Sequence, residues 1–241
     1  MPDQEQPIMM LLAGPNGAGK TTFRKKFLES NATFSEFISL NWDDETAKKK
    51  EEQPDLTETE ARIITGKDII KRTKQSFEQR KNFVYETVAA DFRHLRLMKT
   101  ARAAGYKVVT IFIGLSSPEL SKLRVKHRVQ NGGHNVAIED IESRYPKIIA
   151  NLPSLMEESD TCFVIDNSGK NYKLILLKSN DLNMTFSKFP NYLPLDKFDL
   201  TKELQEDGSM LLPTSKYTKK SAEEKQELIR HLLEFFSVKD I

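Results

Sequence analysis

The stretch Gly14-Pro15-Asn16-Gly17-Ala18-Gly19-Lys20-Thr21 matches G-x-x-x-x-G-K-[ST] at every fixed position. Few sequence features restrict a fold as much. Ile8 to Ala13 is a short apolar run, which reads as a buried parallel strand entering the loop. Behind the loop, Phe23 and Phe27 are four apart and share one face of a helix. Strand, glycine-rich turn and helix together imply an α/β chain. The glycines let successive N–H groups curl into one concavity at a helix N-terminus, where the α- and β-phosphates of ATP or GTP bind. In such a turn Lys20 reaches the β- and γ-phosphates and the Thr21 hydroxyl ligates Mg²⁺, with Thr22 next to it.

The rest of the chain continues the alternation. Phe34–Leu40 reads as a second strand, ending at Asn41-Trp42-Asp43-Asp44, and Lys48 to Glu52 as a solvated face or a loop. Thr57-Glu58-Thr59-Glu60 has capping-box spacing. The helix it opens carries Ile63, Ile70 and Phe77 on one stripe, reinforced by Ile64 and Ile69, and Gly66 within it implies close packing or a ligand contact. Asn82–Thr87 is a third strand, 92–104 a helix closed by Gly105, and Tyr106–Ile113 a central strand. Ser117-Pro118-Glu119 caps a helix holding Leu120, Leu123 and Val125, which Asn131-Gly132-Gly133-His134 breaks. A further helix starts near Ile138, with Pro146 expected to kink or end it. Thr161–Ile165 is a fifth strand, and Asp166-Asn167-Ser168-Gly169 turns into a hairpin strand over 172–177. A terminal helix is expected over 222–236.

Composition excludes several classes. The 37 basic and 35 acidic residues leave a net charge of +2, spread along the chain, so nucleic acid and anionic membrane have no general electrostatic claim on it. Cys162 is alone, in an apolar run where it reads as a core residue. No apolar stretch nears the length of about 20 residues that a membrane helix needs. The expectation is a soluble cytoplasmic enzyme.

Ligands of a parallel sheet sit at the carboxyl ends of its strands. Asp43, Glu86 with Thr87, and Asp166 hold those places. Phosphoryl transfer to a hydroxyl needs a carboxylate to orient it and take its proton. Asp43 is the choice for that base, with a turn or cap aspartate as the competing reading. Glu86 reads as a contact to the acceptor or to Mg²⁺-bound water, or as a structural acid. Arg124 and Arg128 are four apart on one helix, and Arg144 lies on the next helix beyond the Gly132-Gly133 break. Two arginine-bearing helices on a hinge read as a lid bringing charge to a triphosphate, or else as a solvated surface. His134 is a ligand contact or a cap.

Gly14 to Thr22, Asn41-x-Asp43, Phe83-Val84-Tyr85-Glu86-Thr87, Arg124 to Val136 with its Gly132-Gly133-His134, Arg144-Tyr145, Asn151-Leu152 and Asp166 to Gly169 resemble, in that order, the zeta toxin family. The likeness spans about Ile8–Lys178 and extends most closely to its stand-alone bacterial members. It implies a P-loop NTPase of kinase type: a parallel sheet flanked by helices, a core over 1–178, a helical lid over about 118–157, and a C-terminal extension over 179–241. It implies a kinase moving the γ-phosphate of ATP to an amino-sugar hydroxyl of UDP-N-acetylglucosamine, and a small helical antitoxin as partner. By resemblance Asp43 falls on the catalytic aspartate, Glu86 and Thr87 on the nucleotide-sugar motif, and Arg128 near an arginine contacting the ATP phosphates. His134 and Arg144 align more loosely. Thr65-Gly66-Lys67 replaces the Ala-Gly-Arg usual there, making Lys67 the acceptor contact. Val88, Ala137 and Pro146 depart from the pattern, which leaves other nucleotide sugars open. A nucleotide-dependent binding switch and a kinase of another alcohol or of nucleic-acid ends are the alternatives.

Overall fold

The computed structural model describes residues 6–32, 34–179, 183–185 and 190–193. The helix expected over 222–236 lies outside them, as does most of the extension. In chain order the elements are β1 (Ile8–Ala13), α1 (Lys20–Phe23) continued by one π turn (Arg24–Leu28), β2 (Ile38–Asn41), α2 (Trp42–Glu52), α3 (Glu58–Glu78), β3 (Phe83–Glu86), α4 (Arg93–Ala103), β4 (Lys107–Gly114), α5 (Pro118–Gln130), α6 (Ile138–Glu157), β5 (Thr161–Asp166), β6 (Lys173–Ser179) and β7 (Asn183–Thr185).

The sheet order is β2-β3-β1-β4-β5-β6-β7. The pairs from β2 through β5 are parallel, and β6 and β7 add antiparallel at the far side. β1 is central and buried on both faces: Met9 and Leu11 pack with Met98, Ile148 and Leu152, while Met10 and Leu12 pack with Phe23, Leu28 and Ile111. That double burial is why β1 reads as a continuous apolar run rather than an alternation. The chain goes from β1 to one side of the sheet for β2 and β3, then to the other for β4 and β5. The switch opens a crevice at the carboxyl end of β1, where the glycine turn lies.

Several local expectations are corrected. β2 starts at Ile38 rather than Phe34, because this edge strand pairs only along the four residues of β3; Phe34 and Phe37 stack in the preceding turns instead. Lys48 to Glu52 closes α2 as its solvated end. On α3 the buried face is Ala61, Thr65, Gly66, Ile69, Thr73 and Ser76, whereas Ile63 and Ile70 are exposed. Gly66 explains the difference: a Cβ there would lie 2.5 Å from the Trp42 ring, so α3 and α2 meet through small residues. Leu123 is likewise exposed while Ser121 and Val125 face inward.

Pro146 does not end α6, which runs through both Pro146 and Pro153. Pro146 and Glu142 lie on the exposed side, so the carbonyl a proline nitrogen cannot satisfy faces solvent. The buried stripe from Ile141 through Tyr145, Ile148, Leu152 and Leu155 holds the helix to the sheet. Cys162 is buried in the core, and burial pushes its thiol pKa up to about 12, away from any nucleophilic role. At the start of the extension, Leu193 is buried and Tyr192 Oη donates to Asp166 Oδ1 at 3.0 Å. Among the described residues no helix is long and apolar enough to cross a membrane.

Candidate active site

The glycine turn is built by its neighbours. Gly14 has φ 140°, and a Cβ there would sit 2.0 Å from the Ile113 carbonyl oxygen, so the chain leaves β1 pressed against β4. Gly19, at φ 89°, is crowded by Tyr172 and Asn167. Tyr172 Oη donates to the Gly19 carbonyl and Asn167 Nδ2 to the Ala18 carbonyl, each at 2.8 Å. Holding those carbonyls outward leaves the amides of the turn for an anion. Lys20 is buried, and its Nζ donates to the carbonyls of Gly14 at 2.9 Å and Pro15 at 3.0 Å. Burial lowers its pKa below the ordinary lysine value, against the opposing pull of Glu86 and Asp43.

The acidic side of the cleft comes from β2, α2 and β3. Asn41 caps α2, its Oδ1 accepting from the amides of Asp43 at 2.9 Å and Asp44 at 3.1 Å. The cap role left open for Asp43 thus belongs to Asn41. The Asp43 carboxylate makes no hydrogen bond or ion pair among the described residues, and it is close enough to Lys20 to raise that lysine's proton affinity. Asp44 instead pairs with Arg24 at 2.5 Å. Glu86, buried at the end of β3, accepts the Thr21 hydroxyl at 2.7 Å and Arg24 Nε at 3.2 Å. Thr87 Oγ1 lies 2.9 Å from His94 Nε2, and burial lowers the pKa of His94.

The basic side comes from α5 and α6. Gly132, at φ 80°, and Gly133 end α5 in a Schellman motif: the Gly132 amide donates to the Val129 carbonyl and the Gly133 amide to the Arg128 carbonyl. The expected hinge is therefore a hydrogen-bonded cap. It also makes room for Arg128, since a Cβ on Gly133 would sit 2.5 Å from Arg128 Cγ. Arg128 Nε and one terminal nitrogen are buried without a hydrogen-bond partner among the described residues. Arg124 donates to the Gly169 carbonyl at 3.2 Å, Arg144 pairs with Asp140 at 2.9 Å, and Arg62 of α3 donates to His134 at 3.1 Å.

These groups share one cavity of about 1430 Å³. Asn16, Gly17, Gly19, Lys20, Thr21 and Thr22 line it with Asp43, Glu86, Thr87, Arg124, Arg128, His134 and Arg144. Gly14, Pro15 and Ala18 stand behind the lining. Lys67 is exposed on α3 and does not line the cavity, so the acceptor contact expected there is not brought to the site. Asp166 is taken up by Ser168 and Tyr192. Sequence reasoning missed Arg24, Arg62, His94, Asn167 and Tyr172. Arg24 had one usable signal, its place a helical turn after Lys20.

The site fits a nucleotide with Mg²⁺. Two orphaned guanidinium nitrogens of Arg128 call for an anion, and Gly14 and Gly19 leave no room for a side chain. Thr21 and Glu86 supply hard oxygen donors. Among the described residues no cluster of three or more His, Cys, Asp or Glu could hold a metal.

A central parallel sheet with the phosphate turn after β1, Lys20 within it and arginines over it defines a P-loop kinase fold. The chain belongs to the Zeta toxin family, whose model matches residues 1–174. A Haemophilus influenzae protein described as uncharacterized is 28% identical over 132 residues, 55% of this chain and 88% of its own. The PezAT chromosomal toxin-antitoxin system of Streptococcus pneumoniae contains a chain of similar fold, with TM-score 0.57 and 16% identity over 96% of this chain and 88% of that one. AvrRxo1-ORF1:-ORF2 with ATP is similar at TM-score 0.58 and 12% identity, covering 72% of this chain and 59% of that one.

Proposed function

We propose that this chain is an ATP- and Mg²⁺-dependent kinase that phosphorylates a hydroxyl of a small acceptor, a nucleotide sugar of the UDP-N-acetylglucosamine type. The observation that carries the reading is the pairing, across one cavity, of the buried Lys20 with the Asp43 carboxylate, which has no hydrogen bond or ion pair among the described residues. Asp43 orients the acceptor hydroxyl and accepts its proton as the acceptor oxygen bonds to the γ-phosphorus and the bond to ADP breaks. Lys20, Arg128 and Arg124 neutralise the charge on the transferring group. Thr21 and Glu86 would hold Mg²⁺, which when bound would supply further neutralisation of the phosphate oxygens. Glu86 and Thr87 face the acceptor, and α5 and α6, with His134 and Arg144, form the lid.

Two further readings come from the family. The PezAT structure is described as a toxin-antitoxin system, which supports a small helical antitoxin as partner here. Substrates of this class place the enzyme in the cytoplasm.

Incubating the protein with ATP, Mg²⁺ and a panel of UDP-sugars, then weighing the products by mass spectrometry, tests the proposal. One added phosphate on a sugar is expected. Tight ATP binding with no modified acceptor would reject it.

A further inference from the structure

We infer that Arg24 is a positioning residue that locks the phosphate turn, the Mg²⁺-side carboxylate and the helix bearing Asp43 into one unit. It is 6% exposed and does not line the cavity, so it acts through other groups rather than on a substrate. It opens the π turn Arg24–Leu28, a rare geometry that recurs at functional sites. Its three guanidinium nitrogens go to three carboxylates. Nε donates to Glu86 at the end of β3 at 3.2 Å, one terminal nitrogen to Asp44 in the first turn of α2 at 2.5 Å, and the other to Glu29 just beyond the π turn.

The chain of contacts has a direction. The second oxygen of Glu86 accepts the Thr21 hydroxyl at 2.7 Å, so Arg24 sets the rotamer that presents Glu86 to Thr21. Asp44 is the neighbour of Asp43 in sequence, so the same guanidinium holds the turn of α2 that carries the base. The side chain of Glu86 is 7% exposed, against 41% for Asp44 and 46% for Glu29, which makes the Glu86 arm the one that water cannot replace. A planar guanidinium donates from three separate nitrogens in fixed directions and so spans Glu86, Asp44 and Glu29; a lysine ammonium has three donors, but all on one atom at the end of a flexible stem, and cannot hold three carboxylates so far apart. The role rests on the kinase reading above.

The full chain is to be titrated with ATP in Mg²⁺ and in chelator, and its transfer to an acceptor from the UDP-sugar panel resolved into kcat and KM. Arg24→Lys is expected to leave affinity in chelator within about 3-fold, to erase most of the gain that Mg²⁺ confers on the wild type, and to lower kcat about 100-fold. Asp44→Ala cuts only the arm to α2 and serves if Arg24→Lys does not fold. It is expected to keep the Mg²⁺ gain and the KM for ATP while lowering kcat about 10-fold. A folded Arg24→Lys that loses affinity equally with and without Mg²⁺ would overturn this role. So would either variant with a lowered Tm and kcat within about 2-fold of wild type. If the wild type phosphorylates no acceptor, the kinase reading alone fails, and the Mg²⁺ dependence of ATP binding in Arg24→Lys still decides whether Arg24 sets Glu86 against Thr21.

Discussion

Thr21 Oγ1 donates to Glu86 Oε1 across 2.7 Å, joining the end of the phosphate turn to the end of a strand 65 residues later. The carboxylate is therefore placed by the same hydroxyl that the P-loop pattern assigns to Mg²⁺. Glu86→Gln keeps an oxygen to accept from Thr21 but loses the charge facing Arg24 and Lys20. The Mg²⁺ concentration for half-maximal activity should rise, and kcat should fall about 10- to 100-fold. An unchanged Mg²⁺ titration would remove Glu86 from the metal side.

Asp43→Asn keeps the shape of the first turn of α2 but cannot take a proton. ATP affinity should hold within about 3-fold while kcat falls by about 100-fold or more. Lys67→Ala, outside the cavity, should leave both constants within about 2-fold. Equal turnover in Asp43→Asn would place the base elsewhere.

Arg128→Met removes a guanidinium with two buried nitrogens that lack partners among the described residues. A buried unpaired charge is costly, so thermal melting should hold or rise while kcat/KM falls by about 100-fold or more. A lower Tm together with normal turnover would show that Arg128 serves the fold rather than an anion.

Gly66→Ala sets local propensity against packing. In an exposed helix alanine would stabilise by about 1 kcal/mol. Here its methyl would meet the Trp42 ring at 2.5 Å, and forcing the ring aside should cost about 1–3 kcal/mol. A denaturant midpoint higher than wild type would contradict the α2–α3 contact.

Acid should destabilise the fold through His94. Burial holds its pKa below the ordinary value of 6.5, opposed by Asp91 and assisted by Arg93. Below about pH 6.5 the unfolded chain binds a proton that the folded chain does not, so stability is present above that pH and lost as pH falls. Asp91, held near a pKa of about 2 by Arg93, adds a loss of the same sign only below its ordinary value of 3.8. Melting at about pH 7.5 and 5.5 should show a smaller drop for His94→Gln than for wild type. Equal drops would point to another group.

Much of the phosphate half was legible because it is local. The turn, its glycines and Lys20 sit within eight consecutive residues, where backbone conformation and side-chain reach are set by near neighbours. Glu86 and Asp43 were legible for a related reason, since parallel strands deliver the residues at their carboxyl ends to one edge of the sheet. The α3 stripe was misread because Ile63 and Ile70 have helical spacing whichever face turns inward; that face depends on Trp42 from another element. Lys67 was assigned by resemblance, and the rotation of the same helix carries it outside the cavity.

By itself the sequence determined the α/β alternation, the phosphate turn and the candidate base, all matters of spacing over a few residues. Only the tertiary structure decided that Arg24 serves three carboxylates, that Tyr172 and Asn167 hold the turn's carbonyls, and that two nitrogens of Arg128 are buried with no hydrogen-bond partner among the described residues. Those contacts join residues up to 153 positions apart. Their geometry arises when packing of the sheet and helices excludes water and leaves each buried polar group to find whatever partner the fold has brought near.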